Sequence, residues 1–373
     1  MPLVRRTVRR VQDTLSTPRR HTLHPLRVKS VDRLTDDSLA VTFDVPEELR
    51  EDFRFSPGQH VSLRVPQAGD EVRRSYSICT PASSGVLRIG VKCLPDGVFS
   101  TFAAQRLRPG DTIEVMTPAG RFTAELDPAN AKHYCAIAAG SGITPVLSIV
   151  ASALEIEQRS RCTVLYGNRT TAAVMFLEEL ADLKDRYPDR LQVVHVLSRE
   201  RQEAEVVNGR LDGTTLPALL DAFVPVDTVD EWFLCGPAEM IEASRSVLAE
   251  RGVESAHVHR ELFHTGPAAP VRRPDAAQPP GQSEVTVKLD GRSSTFTLSP
   301  YDEPILDATL KVRADAPYAC KNGMCGTCRA MLVEGTVEMD HNYALEESEL
   351  TAGFVLACQS HPTSAAVMLD FDA

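Results

Sequence analysis

The sequence predicts a multi-domain chain: an antiparallel β-barrel, a doubly wound α/β layer, and a smaller third domain of α+β type. Three observations predict it. The chain has 373 residues and 40.8 kDa, more than one hydrophobic core ordinarily serves. Its texture changes at Tyr134, from short alternating apolar segments to strands that alternate with helix-period stretches. A second break lies between Gly266 and Gly281, where Pro267, Pro270, Pro274, Pro279 and Pro280 stand among residues with little to bury.

Residues 1–21 are expected to form a disordered basic tail. Arg5, Arg6, Arg9, Arg10, Arg19 and Arg20 stand there against a single acid, Asp13, for a local charge of +5. Residues 22–125 hold Leu39 to Val45, His60 to Val65, Arg74 to Cys79, Val86 to Cys93 and Thr112 to Met116, short runs separated by turns in the manner of an antiparallel barrel. Residues 126–265 read as strands Tyr134 to Ala138, Thr163 to Tyr166, Leu191 to Leu197 and Trp232 to Leu234. Between them lie helices over Pro145 to Leu154, Ala172 to Leu183 and Glu239 to Ala249, and this alternation defines a parallel sheet. Residues 266–283 form an interdomain linker. Residues 284–373 open on a hairpin in which Val285, Val287 and Leu289 alternate up to Asp290-Gly291, and Phe296 and Leu298 alternate on the return. Pro304 then marks a helix start ahead of Ile305, Leu306 and Leu310.

Composition removes several function classes. No run approaches the roughly 18 apolar residues of a membrane span, and 43% hydrophobic with 24% charged residues is the balance of a soluble globular chain. A net charge of −11 repels a phosphate backbone, so nucleic acid is not an expected partner. Nine cysteines without a secretory leader read as reduced thiols or metal ligands, which places the protein in the cytoplasm.

The strongest motif is Cys320-x4-Cys325-x2-Cys328 with Cys358 downstream, the plant-type spacing of a [2Fe-2S] cluster with two thiolates per iron. Gly323 and Gly326 let the loop wrap tightly and aim amides at the sulfurs. Zinc and four packed thiols are the competing readings, and zinc ribbons favour two C-x2-C knuckles where only one is present.

In the first domain, Arg74-Ser75-Tyr76-Ser77 sets a cation, a ring and a hydroxyl side by side at a strand end. Such a set suits a flavin: Arg74 pairs with phosphate, Tyr76 stacks on the isoalloxazine, and Ser77 bonds near the nitrogen that accepts hydride. An exposed edge strand is the alternative. Gly97, Ser100 and Thr101 then offer a helix start to a second phosphate, which favours a dinucleotide flavin over FMN. The second domain opens with Ala139-Gly140-Ser141-Gly142-Ile143-Thr144-Pro145 directly after a strand, a turn that brings backbone to a pyrophosphate or is a bare glycine turn. Arg169 and Ser198-Arg199 follow two later strands with no acid at the ribose-reading point, so they suit a 2′-phosphate, or they are solvated surface arginines. Cys235-Gly236-Pro237 closes another strand at the same edge, where Cys235 lines the nicotinamide site or packs. Glu261 and Phe263 can reach back towards the flavin. Cys79, Cys93, Cys135 and Cys162 read as core.

In this order the motifs resemble those of a ferredoxin-NADP reductase-type flavoprotein with a plant-type ferredoxin fused at its C-terminus, the family that includes phenylacetyl-coenzyme A epoxidase reductases. The resemblance runs from residue 22 to the end, through Arg74 to Ser77, Ala139 to Pro145, Tyr166 to Thr170, Cys235 to Pro237, Pro317 to Cys320 and Asp370 to Asp372. It implies a β-grasp fold for the third domain. It implies FAD on Arg74, Tyr76, Ser77 and the Gly97 to Thr101 turn. NADPH would then lie on Gly140, Gly142, Thr144, Arg169, Ser198, Arg199, Gly236 and Pro237, with Ser77 and Cys235 at the point of hydride transfer. It also implies a separate acceptor, a di-iron oxygenase complex that epoxidises phenylacetyl-coenzyme A. Relatives that serve steroid-ring or aromatic-ring hydroxylases share these motifs, and a free-standing diaphorase or a redox sensor would carry most of them.

Overall fold

The computed structural model describes residues 22–67, 70–95, 97–263, 281–299 and 302–373. The basic tail and nearly all of the expected linker lie outside the described residues.

The first unit is a six-stranded antiparallel sheet of β1 (Leu23–Thr35), β2 (Ser38–Asp44), β3 (His60–Gln67), β4 (Asp70–Ser77), β5 (Leu87–Lys92) and β6 (Thr112–Met116). Its order is β4-β3-β6-β1-β2-β5. An Ile78–Ile89 bridge joins the two ends, so the sheet curls into a barrel around Leu26, Val41, Val61, Leu63, Ile89 and Val115. Helix α1 (Val98–Gln105) plugs one end with Phe99 and Ala103. Apolar alternation in the sequence indicates no strand at Leu23–Thr35. That strand carries Arg27, Lys29, Asp32 and Arg33 on exposed or partly exposed positions and buries few residues fully, so its alternation is weak.

The second unit is a five-stranded, all-parallel sheet of β7 (His133–Ala139), β8 (Arg161–Asn168), β9 (Leu191–Leu197), β10 (Glu231–Gly236) and β11 (Val258–Leu262), in the order β11-β10-β7-β8-β9. Helices α2 (Ile143–Ile156), α3 (Leu177–Arg186), α4 (Leu216–Phe223) and α5 (Ala238–Glu250) connect the strands. The strand order reverses between β7 and β10, the switch point where doubly wound sheets bind ligands beyond their carboxyl ends. Helix α3 begins at Leu177, five residues later than the sequence suggests. Val174, Met175 and Phe176 are buried, and Phe176 takes a left-handed φ of 58° to seat its ring, so packing overrides helix propensity there.

Barrel and parallel sheet share one core. Ala40, Cys79 and Phe122 of the barrel lie in the cluster built on α2 and β7. Ser148 and Ser152, fully buried on α2, satisfy barrel backbone across the seam. Ser148 Oγ donates to the Thr80 carbonyl at 2.7 Å, and the Ala82 N–H donates to Ser152 Oγ at 3.1 Å. Arg88 on β5 pairs with Glu179 on α3 at 3.2 Å. Gly90 is required in β5, since a Cβ there would lie 2.6 Å from the Thr144 methyl.

The third unit is a mixed sheet, β13-β12-β18-β14-β16, with β12 (Ser283–Leu289), β13 (Arg292–Leu298), β14 (Arg329–Glu334), β16 (Phe354–Leu356) and β18 (Ala366–Asp370). The pair β15 (Val337–Met339) and β17 (Ser360–Pro362), with helices α6 (Ile305–Val312) and α7 (Glu347–Thr351), completes this β-grasp arrangement. The hairpin turn is as the sequence indicates. Asp290 and Gly291 both have positive φ, 51° and 69°, and β12 pairs with β13 from Leu289–Arg292 outwards.

Candidate active site and cluster loop

The chain leaves the carboxyl edge of the parallel sheet at five places, and each carries residues singled out by sequence. After β7, Gly140 has φ 55° and open space where a Cβ would be, while a Cβ on Gly142 would lie 2.1 Å from the Cys235 carbonyl oxygen. Only glycine lets the turn after β7 and the end of β10 close the switch point this tightly. The Thr144 hydroxyl donates to the Ser141 carbonyl at 2.9 Å, and the Tyr166 hydroxyl donates to the Gly140 carbonyl at 2.9 Å, which fixes the turn from below. The turn leaves an open, pre-set backbone at the carboxyl edge of the sheet.

The loops after β8 and β9 run side by side. The N–H groups of Ser198 and Arg199 donate to the carbonyls of Asn168 and Arg169 at 3.0 and 2.8 Å, so exposed Arg169 and Arg199 come from adjacent backbone. Ser198 and Arg199 line a cavity of about 370 Å³ with Glu200, Arg201, Glu205 and Asn208. Glu200 is engaged with Thr171, whose N–H and hydroxyl donate to it at 2.8 and 2.7 Å.

On the barrel, strand alternation separates Arg74 and Tyr76 from Arg73 and Ser77. Arg74 is exposed, its guanidinium donating to the Arg73 carbonyl at 2.8 Å. The Tyr76 ring is half-buried, 5.0 Å from Phe99 of α1, and burial pushes its hydroxyl above the ordinary range. Gly97 caps α1, and the Ser100 hydroxyl is used locally: it donates to the Gly97 carbonyl and accepts from the Leu94 N–H. Thr101 is exposed on the same turn.

Glu261 draws these parts together. From β11 its carboxyl accepts a hydrogen bond from the buried Ser77 hydroxyl at 3.2 Å and lies 3.9 Å from His60 Nδ1. Burial pushes this carboxyl up to about 8; Ser77 opposes the rise and the thiol of Cys325 adds to it. Its charge also reaches Cys235, a fully buried thiol that desolvation raises well above its ordinary value. Glu261 is only a weak candidate from sequence, because nothing local marks it. The Phe263 N–H, two residues on, donates to the Gly236 carbonyl at 3.1 Å and extends the sheet edge beyond β11.

The four cysteines of the third unit fall into two interacting pairs, Cys320 with Cys325 and Cys328 with Cys358. Among the described residues, no three His, Cys, Asp or Glu side chains surround the place of a single ion. Two pairs of sulfurs are what two irons require, with two thiolates each. Within each pair one thiol is raised well above its ordinary value, Cys325 chiefly by Cys320 and Cys328 chiefly by Cys358, and the other is lowered. The Asn322 and Met324 amides bond Cys320, whose thiol is lowered to about 7 chiefly by Cys325, and the Gly323 amide bonds Cys358, which is also lowered, chiefly by Cys328. Lys321, Gly323 and Gly326 take left-handed φ of 55°, 73° and 67° to aim them, and a Cβ on Gly323 would lie 2.9 Å from the His341 carbonyl.

These are the parts of a pyridine-nucleotide-linked iron–sulfur flavoprotein. Residues 25–124 match the family model for an oxidoreductase FAD-binding domain, 136–246 that for an oxidoreductase NAD-binding domain, and 287–363 that for a 2Fe-2S iron-sulfur cluster binding domain. The chain is 44% identical over 352 residues to a subunit of the 1,2-phenylacetyl-CoA epoxidase of Escherichia coli strain K12, covering 94% of this chain and 98% of the relative. It is 34% identical over 357 residues to the ferredoxin reductase component of 3-ketosteroid-9-alpha-monooxygenase from Rhodococcus rhodochrous, covering 93% and 96%. The fold is that of phthalate dioxygenase reductase, at 22% identity and a TM-score of 0.57 over 94% of this chain and 98% of that one. The chain belongs to the family of oxygenase reductase components, oxidoreductases with FAD-, NAD- and [2Fe-2S]-binding units in one polypeptide. Among the described residues, no helix is long and apolar enough to cross a membrane.

Proposed function

We propose that this chain takes electrons from NADPH and delivers them to a separate di-iron oxygenase, as the reductase of a phenylacetyl-coenzyme A epoxidase in the cytoplasm. When bound, FAD accepts two electrons as hydride and passes them on singly through the cluster, a conversion that nicotinamide cannot make alone. The observation that carries the reading is Glu261, whose carboxyl, carried by the parallel sheet, accepts a hydrogen bond from Ser77 of the barrel and lies within electrostatic reach of Cys235 and of Cys325 on the cluster loop.

In this reading the units are residues 22–125, 126–265 and 284–373. Arg74 pairs with a flavin phosphate, Tyr76 covers the isoalloxazine, and Gly97, Ser100 and Thr101 receive the second phosphate. Gly140, Gly142 and Thr144 hold the nicotinamide dinucleotide's pyrophosphate, Gly236 and Pro237 leave room for its ring, and Arg169, Ser198 and Arg199 take the 2′-phosphate. Ser77 and Cys235 line the point of hydride transfer, and Glu261 holds a proton beside them. Cys320, Cys325, Cys328 and Cys358 hold the cluster. The 44% identity over nearly the whole of both chains supports the epoxidase as acceptor, and nine free cysteines fit a reducing compartment.

Reconstitution tests it. The purified chain with a purified epoxidase and phenylacetyl-coenzyme A should consume NADPH in step with product. NADPH oxidation with artificial acceptors that the epoxidase fails to stimulate would leave a diaphorase. Stimulation by a 3-ketosteroid oxygenase instead would move the chain to the other acceptor class among its relatives.

A further inference from the structure

Arg73 is the neighbour of the residue that sequence singled out, and it faces the other way. It is 7% exposed, and a guanidinium at that depth is costly unless paired. One partner lies outside the barrel. Arg73 Cζ stands 4.0 Å over the centre of the Tyr318 ring, and its Nη1 donates to the Tyr318 carbonyl at 3.5 Å. Tyr318 is itself buried and precedes Cys320 by two residues.

A second contact joins the same two units. Arg121, just past β6, donates to Glu349 of α7 at 2.6 Å. The Glu349 side chain is only 9% exposed; it also pairs with Arg329 at 3.2 Å and accepts from the Glu346 N–H to close the capping box of α7. Arg329 directly follows Cys328. Arg73 therefore grips a residue two positions before Cys320, and Arg121 grips one that is paired with Arg329, the neighbour of Cys328.

We propose that Arg73 and Arg121 are positioning residues: a two-point clasp that seats the cluster loop against the flavin-binding strand β4 for electron transfer within the chain. The proposal rests on the reading of flavin-to-cluster transfer above. Electron tunnelling falls steeply with distance, so a tether alone, at an effective concentration of about millimolar, leaves the cluster unregistered much of the time. Redox contacts are small, and a few well-placed groups set their geometry. The two points differ in character. Arg73 is buried and little screened, whereas the Arg121 side chain is 62% exposed and its ion pair weakens with salt.

The test uses the full-length holoprotein and the variants Arg73→Gln, Arg121→Ser and both together. Stopped-flow absorbance separates reduction of flavin by NADPH from reduction of the cluster, small-angle scattering reports compactness, and electron paramagnetic resonance with an iron assay reports the cluster. The double variant should reduce its flavin at the native rate, transfer to the cluster at least tenfold more slowly, show a larger radius of gyration, and keep its iron and cluster spectrum. Arg121→Lys should restore most of what Arg121→Ser loses. Native internal transfer and native compactness in the cluster-loaded double variant would overturn the clasp. If Arg73→Gln fails to load its cluster, Arg121→Ser decides alone, since that side chain is exposed: transfer that stays native and insensitive to salt in both parent and variant refutes the proposal. A parent protein whose flavin passes no electrons to the cluster would refute the underlying reading instead.

Discussion

Replacing Glu261 by Gln separates the charge of the buried carboxyl from its shape. Its carboxyl titrates near 8, so it is about nine-tenths neutral at pH 7 and about one-tenth neutral at pH 9. Hydride transfer adds negative charge next to it, and an ionised carboxylate there opposes that. The rate of flavin reduction by NADPH should fall about tenfold from pH 7 to pH 9 in the parent, and the Gln variant, locked neutral, should stay nearly flat. The same shift bears on stability. Folding raises this group above its ordinary 4.5, so its contribution is full below 4.5 and is lost as pH rises through 8. The loss is on the order of 5 kcal/mol at about 1.4 kcal/mol per unit, and Gln should abolish that slope. Stopped-flow flavin reduction across pH is the assay. An alkaline limb that persists unchanged in the Gln variant would refute the role of Glu261 as the proton-holding group.

Cys358→Ser should disturb the cluster, read by iron content and visible absorbance, while flavin reduction by NADPH remains, because Cys358 belongs to a core separate from that of the barrel and parallel sheet. Removing Arg169 should weaken NADPH about ten- to a hundredfold, the worth of roughly 1.5 to 3 kcal/mol for a hydrogen bond to a charged group, and leave NADH nearly untouched; equal losses for both nucleotides would remove it from the 2′-phosphate site. Residues 284–373 hold 14 acids against 6 bases, a net of −8, so raising salt should slow electron delivery to the oxygenase while reduction by saturating NADPH changes little. A transfer rate constant indifferent to ionic strength would leave those acids a role in solubility only.

Local signals are enough for the parts whose chemistry is written in adjacent residues. The Cys320 to Cys328 spacing, the glycine turn after β7 and the Asp290-Gly291 hairpin each need particular residues at fixed offsets, because a short loop has few conformations that present two thiolates, a phosphate cradle or a left-handed turn. Strand β1 is not legible in this way because its half-exposed faces give no clean alternation, and α3 starts late because Phe176 is seated by the barrel.

The sequence by itself determined three units, their order and the classes of group they bind: a flavin, a nicotinamide nucleotide and an iron–sulfur cluster. Only the tertiary structure decided which residues meet: Glu261 with Ser77 across 184 positions, Arg73 with Tyr318 across 245, and Arg121 with Glu349 across 228. The physical reason is that a spacing pattern survives in the chain, whereas the depth of a carboxyl or the partner of a buried guanidinium is set by which surfaces pack together, and neither leaves a mark on its neighbours in sequence.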